Sequence, residues 1–160
     1  MADVVTPAVR SRMMAGIRGK NTRPELLIRR ELFARGYRYR LHVASLPGKP
    51  DLVFPKLRAV ILVHGCFWHR HSCTLFKWPS TNVSFWRTKI LRNCSVDRRS
   101  LRQLKIADWR VLTIWECALK GPGRLRIEIV IDKVVRWLLS HASTGEIQGR
   151  PLRRGSRNGS

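Results

Sequence analysis

The sequence predicts a single α/β (α+β) domain, a mixed central β-sheet flanked by helices. Three observations predict it. At 160 residues with 44% hydrophobic content, the chain is long enough for one domain with a real core. Segments of helical period and short apolar runs follow one another as helix, three strands, helix, strand, helix. Gly- and Pro-bearing breaks separate them, and no internal repeat is present.

Residues 1–22 are polar and basic and contain Pro7, Gly16 and Gly19, which suits an arm that orders on its ligand. Thr22-Arg23-Pro24-Glu25 reads as a helix start: Thr22 can cap, Pro24 sets φ, and Glu25 suits the positive end of the helix dipole. Leu26, Ile28, Leu32 and Phe33 then recur at helical spacing until Gly36 stops the helix. Tyr37, Tyr39 and Leu41 alternate with Arg38, Arg40 and His42, as in a half-exposed strand. After the Leu46-Pro47-Gly48 turn, Asp51 to Phe54 is a short strand. Ala59-Val60-Ile61-Leu62-Val63 is apolar throughout, as in a strand buried on both faces.

A long helix is expected over roughly Asn82 to Ala107 and another apolar strand over Trp109 to Trp115. Gly121-Pro122-Gly123 precedes an amphipathic helix, Leu125 to Leu139, with Val130, Val134, Trp137 and Leu138 on one side. Residues 23–140 thus form the folded domain. Residues 141–160, rich in Gly, Ser and Arg from Ser143 onward, are expected to be a disordered basic tail.

Lys and Arg number 32 against 10 Asp and Glu, a net charge of +22. A folded domain this basic meets polyanions, with DNA or RNA the first expectation. A ribosomal or membrane-surface protein is the plainer alternative. Against it, the basic residues run through the periodic segments as well as the tail, and the chain carries an organised Cys/His cluster. No run of 18 apolar residues is present, and Met1-Ala2-Asp3 opens no secretory signal. Four cysteines without a signal suggest a reducing compartment and metal binding more than disulfides.

The densest chemistry lies in Val63 to Cys73, V-H-G-C-F-W-H-R-H-S-C. Cys66, His71 and Cys73, closed by the distant Cys117, are four ligands of the kind zinc takes in a structural tetrahedron. Unligated thiols and a surface histidine are the competing reading, with His69 and Cys94 as rival ligands. Cys94 is set aside because a cysteine inside a helix is most often a small hydrophobe.

Among the few carboxylates, Asp51 stands at a strand start beside this loop. One or two carboxylates can hold Mg²⁺ for phosphodiester hydrolysis. Taken alone, Pro50-Asp51 is also an ordinary turn before a strand. His69 is the candidate general base, with Asp97 to hold it; an ion pair with Arg98 or Lys89 is the plainer role for Asp97. Glu25 lies near the site if the first helix packs at that sheet edge, and is otherwise a helix-start acid. Phe67, Trp68 and Trp86 can wedge between bases, whereas Trp109, Trp115 and Trp137 look like core.

The element order with Pro50-Asp51 resembles the PD-(D/E)XK nuclease superfamily, of restriction-endonuclease-like core. A closer resemblance is to the very short patch repair (Vsr) DNA mismatch endonuclease family. It runs from Met1-Ala2-Asp3-Val4 through Ser45 to Asp51, His64-Gly65-Cys66-Phe67-Trp68-His69, His71 and Cys73. It continues in Leu75-Phe76-Lys77, Phe85-Trp86, Lys89-Ile90, Asp97-Arg98-Arg99, Trp109 to Leu112 and Trp115-Glu116-Cys117-Ala118-Leu119.

The resemblance implies a monomeric endonuclease that nicks one strand 5′ to the T of a T:G mismatch, the product of 5-methylcytosine deamination. Asp51 and the main-chain oxygen of Val63 would bind Mg²⁺, His69 would activate water and Asp97 would support it. Glu25 and His64 match family active-site positions. Cys66, His71, Cys73 and Cys117 would hold a structural Zn²⁺, and Phe67, Trp68 and Trp86 would enter the duplex. The setting implied is the bacterial cytoplasm, at the nucleoid, with a functional link to a cytosine-5 DNA methyltransferase and to mismatch-repair proteins. Val63 stands where the family can carry Thr, so main-chain ligation survives and side-chain help does not. Arg70 and Ser72 replace two members of the family's His cluster and spare the base and the zinc set. Two alternatives stay open: a Vsr-like nuclease with a different DNA target, and a zinc-stapled DNA-binding protein that does not cleave.

Overall fold

The computed structural model describes residues 21–152. The first twenty residues of the expected arm, with the Met1–Val4 motif, and residues 153–160 of the expected tail lie outside them.

Helix α1 spans Arg23–Ala34, with Pro24 in its first turn. Its start is built differently from the expectation. The Thr22 side chain makes no cap bond; Glu25 reaches back instead, its Oε2 accepting from the Asn21 N–H at 2.9 Å. That bond ties the residue ahead of the N-cap to the first turn of the helix. Ile28 and Leu32 are fully buried, whereas Phe33 faces out beneath the Arg38 guanidinium, 3.8 Å from its ring centre. Gly36, at φ +91°, takes the left-handed position that ends the helix.

The strands are β1 (Arg40–Leu41), β2 (Leu52–Phe54), β3 (Ala59–His64), β4 (Arg110–Trp115) and β5 (Thr144–Ile147), side by side in chain order. The first three pair antiparallel, and β3–β4 and β4–β5 pair parallel. Parallel neighbours need long crossovers. Helix α2 (Val83–Ile106) supplies one and α3 (Ile127–Leu138) the other.

The two-residue period of the strands sorts side chains between two cores. Leu52, Phe54, Ala59, Ile61, Leu112 and Ile114 pack with α1 and α3. Val53, Val60, Leu62 and Val111 face α2 through Leu104. The unbroken apolar run in β3 is thus explained by helices on both faces. On α3 the expected stripe of Val130, Val134, Trp137 and Leu138 is buried.

Two expectations need correction. The Tyr37–Leu41 alternation yields only a two-residue strand. Both tyrosines turn inward onto Phe54, at 6.4 and 6.0 Å between ring centres, and the Tyr39 hydroxyl donates to the Arg29 carbonyl at 2.6 Å. Packing and a side-chain bond replace the ladder. The chain after Ser143 also does not leave the domain at once, because Thr144–Ile147 adds the fifth strand. Its one buried side chain, Ile147, joins the main core. Gly145 permits this, since a Cβ there would lie 2.7 Å from the Trp137 ring.

Candidate active site and metal centre

The C-terminal end of β3 gathers the chemistry. Asp51, just before β2, accepts a 2.7 Å hydrogen bond from the Val63 N–H on the neighbouring strand. Glu25 enters from α1 and is 1% exposed. Glu25, Asp51 and His42 bring one ligand atom each within 4.8 Å of one another. Burial and the adjacent Glu25 push the Asp51 carboxyl up to about 8, against the pull of the Val63 N–H. Two acids held this close in a dry site suit a cation that offsets their charge.

A second group lies beside it: His64, His69 and Asp97. His69 Nδ1 sits 2.5 Å from Asp97 Oδ2 on α2, so Asp97 does not pair with Arg98 or Lys89 as its plainer role would have it. The His64 and His69 rings stack with centres 3.8 Å apart and 4° between planes. Burial, then the neighbouring His69, hold His64 down to about 3, so it is neutral at physiological pH. A neutral ring stacked on His69 presents no like charge when His69 takes a proton.

Val63, His64 and His69 line a cleft of about 970 Å³ together with Phe67, Trp68, Leu27 and Glu116. At its rim Phe67, Trp68 and Trp86 form one cluster, with ring centres 5.1 to 5.7 Å apart. Phe76 extends it, 6.2 Å from Phe67. All three wedge candidates are half-buried.

The Cys/His set forms a separate centre behind the loop. One ligand atom each of Cys66, His71, Cys73 and Cys117 lies within 4.8 Å of the others. His71 Nδ1 is 3.7 Å from Cys66 Sγ and 3.6 Å from Cys117 Sγ. Ligands about 2.0–2.3 Å from a tetrahedral ion stand about 3.5–3.8 Å apart, so the spacing fits zinc. Burial and the neighbouring thiols hold Cys66 well above its usual pKa, and burial likewise raises Cys117. A dication reverses that, because thiolates are its ligands. The rivals fall away: His69 belongs to the Asp97 pair, and the Cys94 thiol donates to the His69 carbonyl at 3.7 Å.

Several contributors had no strong signal in the sequence. His42 Nε2 is 2.6 Å from Glu25 Oε1. The residue is held at φ +47°, with its N–H donating to the Asp51 carbonyl at 3.1 Å. In sequence it is one polar member of an alternating stretch. Asn93 donates to the Trp68 carbonyl at 3.1 Å and so ties the aromatic loop to α2. Gln148 and Gly149 touch the Cys/His centre, from a segment whose composition suggests a tail.

A carboxylate pair, a carboxylate-held histidine lining a cleft and half-buried aromatics beside it, on a basic chain, are the parts a nuclease site calls for. The comparisons agree. Residues 2–75 match the model of the family described as DNA mismatch endonuclease Vsr. The chain is 42% identical over 147 residues to the DNA mismatch endonuclease Vsr of Escherichia coli K12, covering 92% of this chain and 94% of that protein. It is also 42% identical to the type II nicking enzymes V.XorIIP of Xanthomonas oryzae pv. oryzae and V.NmeAIP of Neisseria meningitidis, covering 82% and 79% of this chain and 98% and 90% of theirs. The chain belongs to the Vsr DNA mismatch endonuclease family.

Proposed function

We propose that this protein is a Mg²⁺-dependent endonuclease that nicks one strand of duplex DNA 5′ to the T of a T:G mismatch and so initiates very short patch repair. The observation that carries the reading is the His69–Asp97 pair, with His69 stacked on His64 at the wall of a cleft edged by aromatics. Asp51 and the main-chain oxygen of Val63 would hold Mg²⁺, which when bound offsets charge on the scissile phosphate and polarises water. Glu25, fixed by Asn21, Arg29 and His42, keeps a second carboxylate beside Asp51.

His69 acts as general base. With Nδ1 held by Asp97, its Nε2 is the free nitrogen that takes a proton from water, and the carboxylate stabilises the imidazolium that results. Phe67, Trp68 and Trp86 enter the duplex beside the mismatch, where a wobble pair is cheaper to unstack than a matched one. The basic surface holds phosphates independently of sequence. Cys66, His71, Cys73 and Cys117 would hold one structural Zn²⁺ that fixes the loop bearing Phe67, Trp68 and His69. The protein works as a monomer on DNA, in functional association with a cytosine-5 methyltransferase.

The test is a panel of duplexes, each with one mismatch in varied sequence context, incubated with Mg²⁺ or with EDTA. Nicking of T:G duplexes in Mg²⁺ alone is expected. Binding without nicking under every condition would leave a zinc-stapled DNA-binding protein, and nicking of another substrate would reassign the target.

A further inference from the structure

After β5 the chain turns back over the Cys/His centre. Ile147 is anchored in the core, 6% exposed. Gln148 Oε1 lies 2.9 Å from His71 Nε2. The Gly149 N–H donates to Cys117 Sγ at 3.3 Å, and the Arg150 N–H donates to the Gly123 carbonyl at 2.8 Å. A Cβ on Gly149 would lie 2.3 Å from the Cys117 carbonyl oxygen and 2.8 Å from that of Gly123. Both contacts are with backbone, which cannot swing aside, so glycine is required for this approach.

The two nitrogens of His71 face different partners. Nδ1 points to the thiols of Cys66 and Cys117. A neutral imidazole that ligates through Nδ1 carries its proton on Nε2, and an acceptor there fixes both tautomer and ring direction. Gln148 Oε1 is placed as that acceptor. Trp115 fixes the ring plane, stacked at 4.1 Å and 14°.

We infer that Ile147–Arg150 is a strap that completes the metal centre, with Gln148 a positioning residue that sets the His71 tautomer and the Gly149 N–H a donor to the Cys117 thiolate. The inference rests on the zinc reading proposed above. It assigns the end of the described chain a role in metal retention rather than in DNA contact. Gln148 is itself exposed. Water can partly replace its amide, so its loss is expected near the lower end of the range for partners of metal ligands.

The experiment measures zinc content and then the rate of zinc transfer to a chromogenic chelator, on the full chain. Wild type is expected to hold one zinc and to release it slowly. Gln148→Ala should release it about 10-fold faster, as the loss of such a partner usually costs 10–100-fold in metal affinity. Gly149→Ala should release it faster still, whereas Gln148→Glu, which keeps an acceptor, should match wild type. Histidine-selective ¹⁵N NMR of the unaltered protein supplies a test that needs no variant: His71 should bind through Nδ1 and carry its proton on Nε2. Wild-type zinc with unchanged release from Gln148→Ala, or His71 bound through Nε2, would overturn the strap while leaving the zinc centre intact. Folded wild type without zinc would overturn the zinc reading itself, and the strap with it.

Discussion

His69 Nδ1 and Asp97 Oδ2 are 2.5 Å apart although 28 residues separate them. The bond ties the His-rich loop to α2 while His69 lines the cleft. His69→Ala should slow single-turnover nicking of a T:G duplex by roughly 10²-fold or more, the usual range for a lost general base. Asp97→Asn should slow it as well, and the double variant should be little worse than His69→Ala, since residues acting as a unit are not additive. Wild-type cleavage by His69→Ala would mean that another group activates the water.

Asp51 is expected to separate cleavage from binding. Asp51→Ala removes the carboxylate proposed to hold Mg²⁺ and leaves the basic surface, so nicking should be abolished while DNA affinity at fixed salt stays largely intact. Parallel loss of both would place Asp51 in the fold rather than in the chemistry.

The same carboxyl predicts a pH dependence. Its folded value is raised from 3.8 to about 8 by burial and by Glu25. Between those values the unfolded chain has lost the proton that the metal-free folded protein keeps. The contribution to stability is therefore fully present below the lower value and is lost as pH rises through the upper one. Asp51→Asn cannot ionise. In EDTA it should gain stability relative to wild type as pH rises through this window, and no further above it. Urea unfolding across the window measures the difference, and a pH-independent offset would contradict the assignment.

The Cys/His centre should behave as a structural metal site. Cys73→Ala or Cys117→Ala should lower thermal stability and zinc content together, because a structural ion contributes folding energy directly. Metal-free protein of wild-type stability and activity would refute this.

Legibility in the sequence followed the number of side chains that share one signal. The buried strand β3 and the stripe of α3 each have four or more apolar residues in register with the period, so pattern locates them. The four metal-ligand candidates carry a signal in their residue types, and the structure brings them together. Asp51 was legible because acids are scarce in so basic a chain. By contrast β5 buries one of its four residues and lies among Ser and Gly, so composition reads it as tail. The side chains of His42 and Gln148 each make one hydrogen bond, set by local backbone geometry that no period encodes. The polar neighbours of Phe67 and Trp68 mark them out in the sequence, and the structure groups their rings with Trp86; that Phe76 joins them depends on how the loop folds.

The aromatic cluster carries the last prediction, which distinguishes specificity from affinity. With 32 basic residues, non-specific affinity should fall steeply with salt as counterions are released. That term is blind to the mismatch. Discrimination must come from groups whose cost depends on base pairing, and Phe67, Trp68 and Trp86 lie together at the cleft. Stacking on an inserted aromatic returns about 1–3 kcal/mol per base. A T:G wobble is already poorly stacked, so less of that return is spent in opening it. Trp68→Ala should therefore reduce T:G nicking far more than it reduces binding to matched duplex at the same salt, with the salt slope unchanged. Equal losses on the two duplexes would show that Trp68 serves folding or general stacking, and that the mismatch is recognised elsewhere.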